Sequence, residues 1–193
     1  MTEVELIEGI LRRERTAFQC MVDQYEKQVI KTAFYFVGNM QDAEDLSQEI
    51  FLEIIRSVDS FKRSSSLVTW IYRITVNKSL NMVKKQQREG IKVRIESLFR
   101  NPGSLEHGAM DEPSYEPGEL EHEEKRKLLQ TAIGRLPENQ RIAFVLCKFD
   151  DLSYKQIAEI MKVGLPAVES LIYRARLNLQ KYLVHQFSEY QKT

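Results

Sequence analysis

The chain has 193 residues, 42% of them apolar and 29% charged, enough for one or two globular domains with buried cores. Its formal charge is zero, from 28 basic and 28 acidic residues, so bulk charge by itself indicates neither a nucleic acid nor a membrane surface. No stretch is apolar enough to span a bilayer, since the longest candidate, Thr32 to Val37, is far too short. The leading acids Glu3, Glu5 and Glu8 are the wrong charge for a secretory signal, and a cytoplasmic protein is expected. Cys20 and Cys147 lie far apart in apolar helical contexts, which suits core thiols rather than a disulfide.

The zero total hides a strong segregation of charge. Residues 1–61 carry 6 basic and 12 acidic side chains, and residues 62–103 carry 10 and 2. Residues 104–124 carry 8 acids and no base, and residues 125–193 carry 12 bases and 6 acids. Two basic blocks are thus divided by an acidic connector, a pattern that points to nucleic acid where the total does not.

Residues 1 to about 95 read as helix after helix. Ala17, Met21, Val29, Ala33 and Val37 recur at helical spacing until Gly38 and Asn39 end the run. Asn39 can cap the next helix, with Asp42 near its positive end. In that helix Ala43, Leu46, Ile50, Ile54 and Val58 form an apolar stripe, while Asp42, Asp45, Glu49 and Glu53 make an acidic face. Taken alone, such a face is most simply a solvated surface, and a functional reading needs a basic partner. After the polar loop Lys62-Arg63-Ser64-Ser65-Ser66, a helix is expected from about Leu67 to Gln87. On it Arg73, Asn77, Asn81, Lys84 and Arg88 recur at steps of three and four. A basic stripe with amides suits a nucleic-acid backbone, and the arginine and serines of the loop could hold an unstacked base. A solvated basic helix and a plain loop remain the alternative.

Residues 101–119 hold Pro102, Gly103, Gly108, Pro113, Pro117 and Gly118 and most of the acidic block, the composition of a flexible linker. Helices resume near Leu120. Ser153 and Gln156 form a capping box, Gly164 can supply the turn conformation, and Pro166 is tolerated in the first turn of the next helix. Val168, Ile172, Ala175 and Leu179 then form one apolar stripe. This is the sequence form of a helix-turn-helix, which places one helix in a DNA major groove. Glu169, Ser170, Tyr173 and Arg174 are placed for base readout, and Arg176 and Lys181 for phosphate. The fold expected is all-α: two small helical domains, 1–95 and 120–193, joined by a flexible acidic linker at 96–119, the second domain containing the helix-turn-helix. No phosphate-binding loop or metal-spaced cluster of His and Cys is present, and His107, His122 and His185 are scattered, so neither an enzyme nor a cofactor is expected.

These residues resemble a family. The run Asn39 to Phe51, with Asp42-Ala43-Glu44-Asp45-Leu46 and Gln48-Glu49 inside it, resembles the acidic core motif of bacterial sigma factors. Thr69-Trp70-Ile71-Tyr72-Arg73-Ile74 with Asn77 resembles the helix that follows it, and Leu136 to Arg141 with Leu152 to Glu159 resembles their C-terminal domain. The short two-domain layout is that of the extracytoplasmic-function group. The resemblance implies that Asp42, Asp45, Leu46, Gln48 and Glu49 bind core RNA polymerase. It implies that Arg63, Ser64, Ser65, Ser66, Trp70, Arg73, Asn77 and Lys84 bind the melted minus-ten element of promoter DNA. Glu169, Ser170, Tyr173, Arg174 and Arg176 would read the minus-thirty-five duplex. It also implies an anti-sigma factor clamped on both domains, often membrane-linked. Departures are Asn81, where Asp is frequent, and Ala167 and Glu169, where Thr and a basic residue are frequent. Glu169 changes the readout, because a carboxylate accepts from cytosine and repels phosphate. The alternative is a stand-alone helix-turn-helix regulator of duplex DNA, which would need no polymerase surface.

A flexible connector predicts that limited proteolysis cuts between about 101 and 119 and releases two folded helical pieces. Resistance there would mean that the domains pack together in the free protein.

Overall fold

In the computed structural model the described residues are 2–61, 65–100 and 119–190, with side chains described for 2–61, 65–90 and 125–186. The fold is all-α, with no strand among the described residues. The elements are α1 (Glu3–Leu11), α2 (Arg15–Val37), α3 (Met40–Ser57), a 3-10 turn (Val58–Ser60), α4 (Leu67–Arg100), α5 (Glu119–Gly134), α6 (Glu138–Lys148), α7 (Tyr154–Met161) and α8 (Leu165–Tyr190).

The helix boundaries follow from capping chemistry. Gly38 ends α2 at φ +92°, a left-handed conformation that favours glycine, and its N–H donates to the Phe34 carbonyl. Asn39 then caps α3, its Oδ1 accepting from the Asp42 N–H at 2.7 Å. Ser153 and Gln156 close the expected capping box at the start of α7. The turn after α7 differs from expectation. Lys162, not Gly164, takes the left-handed conformation, at φ 55° and ψ 45°. The Val163 N–H reaches back to Ala158 O at 3.1 Å, closing the last turn. Gly164 instead precedes α8, its carbonyl accepting from the Ala167 and Val168 N–H groups.

Helix α4 also runs further than Gln87, so residues 96–100 of the expected connector are helical. A lone glycine at 90 costs only about 1 kcal/mol in a helix, too little to end it. The remainder of the connector, 101–118, lies outside the described residues.

Each domain has its own buried stripe set. In the first, Leu6, Met21, Ile50, Ile54, Leu67 and Ile71 pack together. In the second, Ile133, Leu146, Ile157, Val168, Ile172 and Leu179 do so. That second core also takes in Phe36 from α2 and Tyr72, Val76 and Leu80 from α4, so the two domains share one apolar cluster. Helix α4 therefore buries residues on two sides, Leu67 and Ile71 inward and Tyr72 and Val76 toward the second domain.

Two glycines test this packing. A methyl group added at Gly9 would meet the Ala17 Cβ at 2.6 Å, where α1 crosses α2. Gly9→Ala should lower stability by about 1–3 kcal/mol through overpacking. Gly90 has nothing within 4 Å, so Gly90→Ala should raise stability by up to about 1 kcal/mol. Urea denaturation of both variants checks the sign of each.

Candidate nucleic-acid interface

The acidic face of α3 is open. Asp45, Gln48 and Glu49 are exposed, and Leu52 and Met40 beside them are about half exposed despite being apolar. Asp42 is less available. Its carboxylate accepts from Asn39 Nδ2 at 2.7 Å and from Gln86 Nε2 at 2.8 Å, which ties the start of α3 to α4. Leu46 corrects the sequence reading. It is only 3% exposed and belongs to the first-domain core, so it has no surface with which to touch a partner. Its place in the motif is to anchor the helix that presents Asp45 and Glu49.

The residues of the basic stripe are differently placed. Arg63 and Ser64 lie outside the described residues. Ser66 starts α4, its Oγ accepting from the Thr69 N–H at 3.1 Å, and Ser65 precedes it. Trp70 packs against Phe61, ring centres 5.0 Å apart. Further along, the stripe turns toward the second domain. Arg73 donates from Nη2 to the Glu159 carbonyl at the end of α7, at 2.6 Å. Lys84 pairs with Glu138 of α6 at 2.9 Å. Asn77 lies between them beside a cavity of about 300 Å³ lined also by Ile142, Ile160 and Lys162.

The third helix of the helix-turn-helix is arranged as the periodicity predicts. Val168, Ile172, Ala175 and Leu179 are buried, and Glu169, Ser170, Tyr173, Arg174 and Arg176 are exposed on the other side. Tyr173 is 64% exposed, a large ring left in water with no packing reason for it. Asn178 Nδ2 donates to Gln140 Oε1 at 2.8 Å and fixes the helix against α6.

Sequence reasoning missed the contacts between domains. Tyr35 of α2 stacks on Phe149 at the end of α6, centroids 3.6 Å apart and planes 17° apart. The Lys31 ammonium donates to the Phe149 carbonyl. The Thr32 hydroxyl lies 2.9 and 3.0 Å from the two oxygens of the Asp150 carboxyl. Gln130 of α5 donates to the Phe34 carbonyl at 2.9 Å, and the Arg141 guanidinium sits 5.2 Å from the centre of the Phe36 ring. Burial lowers the pKa of Arg141, with the neighbouring Glu138 charge opposing it. Burial raises the hydroxyl of Tyr72, and the Asp150 charge adds to that rise. Burial also pushes the Asp150 carboxyl up to about 7, against the Thr32 hydrogen bond and the Lys31 charge. No local pattern marks Asp150 or Thr32, because each has meaning only beside the other.

An open third helix on a helix-turn-helix, carried beside a domain with one acidic and one basic helix, defines a two-domain DNA-binding protein. Residues 21–89 match sigma-70 region 2, and residues 126–179 match sigma-70 region 4. The chain is 31% identical to the RNA polymerase sigma-H factor of Pseudomonas aeruginosa, over 93% of this chain and 92% of that one. It is 32% identical to the ECF RNA polymerase sigma-E factor of Escherichia coli K12, over 91% of each. It is 35% identical to the ECF RNA polymerase sigma factor SigE of Mycolicibacterium smegmatis, over 88% of this chain but 62% of that longer protein. Among solved structures, CnrH in complex with the cytosolic domain of CnrY shares the fold, with a TM-score of 0.69, 19% identity and coverage of 95% and 97%. The sigma factor RpoE of Bartonella quintana, in complex with the anti-sigma factor NepR, shares it with a TM-score of 0.61, 23% identity and coverage of 86% and 96%. The chain belongs to the sigma-70 family, in its extracytoplasmic-function group. Its function is that of the family, to direct transcription initiation at promoters; family members are initiation factors rather than enzymes.

The two kinds of residue in the acidic motif should separate on mutation. Leu46→Ala should cost about 2–5 kcal/mol by leaving a core cavity, whereas exposed Asp45→Ala should stay within about 0.5 kcal/mol of wild type. Thermal melts of the two variants check this.

Proposed function

We propose that the chain delivers core RNA polymerase to promoters through three separate surfaces. The first is the exposed acidic face of α3, with Asp45, Gln48 and Glu49 as the contacts to core polymerase and Asp42 and Leu46 holding them in place. The half-exposed Leu52 beside this face supports the reading, since an apolar side chain among open carboxylates suits a partner that is both basic and apolar. The second surface is α4 with the loop before it. Arg63, Ser64, Ser65 and Ser66 would hold an extruded base of the minus-ten element, and Trp70, Arg73, Asn77 and Lys84 the strand beside it. Extruding a base costs a few kcal/mol, which these contacts and the polymerase together offset.

The third surface is the open face of α8, with Glu169, Ser170, Tyr173 and Arg174 on base edges of the minus-thirty-five duplex and Arg176 on phosphate. Glu169 carries a specificity of its own. An accepting carboxylate favours the cytosine amino group, worth about 1–3 kcal/mol against a wrong base. The chain would work in the cytoplasm, performing no chemistry itself. No described helix is long and apolar enough to cross a membrane. An anti-sigma factor is inferred as its regulator, since the solved sigma factors sharing this fold include one bound to such a partner.

The observation that carries this reading is the open acidic face of α3 on the same chain as an open helix-turn-helix. Purified core RNA polymerase should retain the wild-type protein in a pull-down and lose the Asp45→Lys/Glu49→Lys variant by roughly tenfold or more, as for charge reversal across an interface. If core polymerase retains neither protein, the chain is a stand-alone DNA-binding regulator instead.

A further inference from the structure

Phe149 and Asp150, adjacent in the turn between α6 and α7, make a cluster of contacts between the second domain and α2. Phe149 does so with its ring, stacked on Tyr35, and with its carbonyl, which accepts from Lys31. Asp150 does so through Thr32, a fully buried residue. Asp151, next in the turn, is held at φ 52°, so the chain bends sharply to bring the corner down. On the far side of the same interface, Arg73 and Lys84 of α4 are engaged by Glu159 of α7 and Glu138 of α6.

These contacts differ in weight. The Lys84–Glu138 pair is about half exposed at each end and so is worth little. The stacked rings and the apolar cluster of Phe36, Tyr72, Val76 and Leu80 hold most of the interface. A strand laid along α4 at Arg73 and Lys84 would meet α6 and α7 in its way.

We propose that the Phe149–Asp150 corner is a latch, which closes the free chain on itself over α4 and must release from α2 before α4 can take a melted DNA strand. This rests on the reading of α4 as the strand-binding surface.

Burial of the Asp150 carboxyl sets when the latch holds, and Thr32 offsets it only in part. The Thr32 hydroxyl has one proton and also lies 2.8 Å from the Gln28 carbonyl. With Asp150 protonated, the carboxyl donates to Thr32 and Thr32 donates to Gln28, so every group is satisfied. With Asp150 ionised, the single Thr32 proton cannot serve both acceptors, and a buried carboxylate is left short of donors. The titratable groups around the corner are Lys31 and Tyr35 on α2, Tyr72 on α4, Arg126 on α5 and Asp151 beside it. Burial outweighs the positive charge of Lys31 and leaves Asp150 at about 7 in the closed form, against an ordinary value of 3.8. A pKa raised by closure means that closure is favoured by protonation. The latch's added stability is complete below the ordinary value and is lost as pH rises through about 7.

The test is small-angle X-ray scattering of the full chain at about pH 6 and about pH 8, on either side of the Asp150 value. Wild type should be compact at the lower pH and expand at the higher. Asp150→Asn, neutral throughout and able to donate to Thr32, should stay compact at both. Tyr35→Ala, which removes the stack, should be expanded at both. Binding of a labelled random-sequence single-stranded oligonucleotide, read by anisotropy, should tighten by roughly tenfold in Tyr35→Ala, because apparent affinity rises with the open fraction. If Tyr35→Ala loses its helical circular dichroism, Thr32→Val replaces it as the opening variant. Scattering that is the same for wild type, Asp150→Asn and the opening variant at both pH values would overturn the latch. Expansion of the opening variant with no gain in strand binding would uphold the latch and overturn instead the reading of α4 as a strand surface.

Discussion

Helix α4 is apolar on two sides, and the arrangement of the molecule depends on what each side buries. Leu67 and Ile71 complete the core that α1, α2 and α3 build, and Tyr72, Val76 and Leu80 enter the core of α5 to α8. Hydrophobic burial is proportional to area and has no direction, so a second apolar face will recruit whatever complementary surface is tethered nearby. The second domain supplies it. Its own core is completed by residues of the first, and α4, the helix proposed to take the DNA strand, is thereby covered along part of its length.

Covering a basic stripe has an electrostatic consequence. Arg73 donates to a carbonyl near the end of α7, and Lys84 pairs with a carboxylate at the start of α6 while remaining about half exposed. The carbonyl near a helix C-terminus and the negative charge of Glu138 occupy the positions that phosphate oxygens would take in the proposed DNA complex. The helix dipole and the carboxylate offer fewer and more exposed contacts than a polyanion would. An interface of this kind can hold against water and yield to nucleic acid, as the proposed latch requires.

The two surfaces proposed to read DNA are therefore unequal in the closed chain. The open face of α8 keeps Glu169, Tyr173 and Arg174 in solvent, and α3 keeps Asp45 and Glu49 there. Only α4 is engaged internally. Under the proposed assignment, the polymerase and duplex contacts are available in the closed chain, and α4 becomes available only on opening.

Much of this was legible in the sequence. The stripes of α3 and α8 put Ile50, Ile54, Ile172 and Ala175 in the core as their spacing requires, because a helix with one apolar face has one way to bury it. Caps at Asn39 and Ser153 were legible because they are local hydrogen bonds between residues three apart. Gly164 could have supplied the left-handed residue at the helix-turn-helix, but Lys162 takes it, because the local hydrogen bonds that close the last turn of α7 offset a conformational cost of about 1–2 kcal/mol. What only the tertiary structure decided is the second role of α4 and the corner at Phe149 and Asp150. Periodicity shows that Tyr72 and Val76 are apolar and cannot show what lies opposite them. Asp150 and Thr32 meet across 118 residues of chain, a pairing that depends on the packing of two whole domains and leaves no mark in either local sequence.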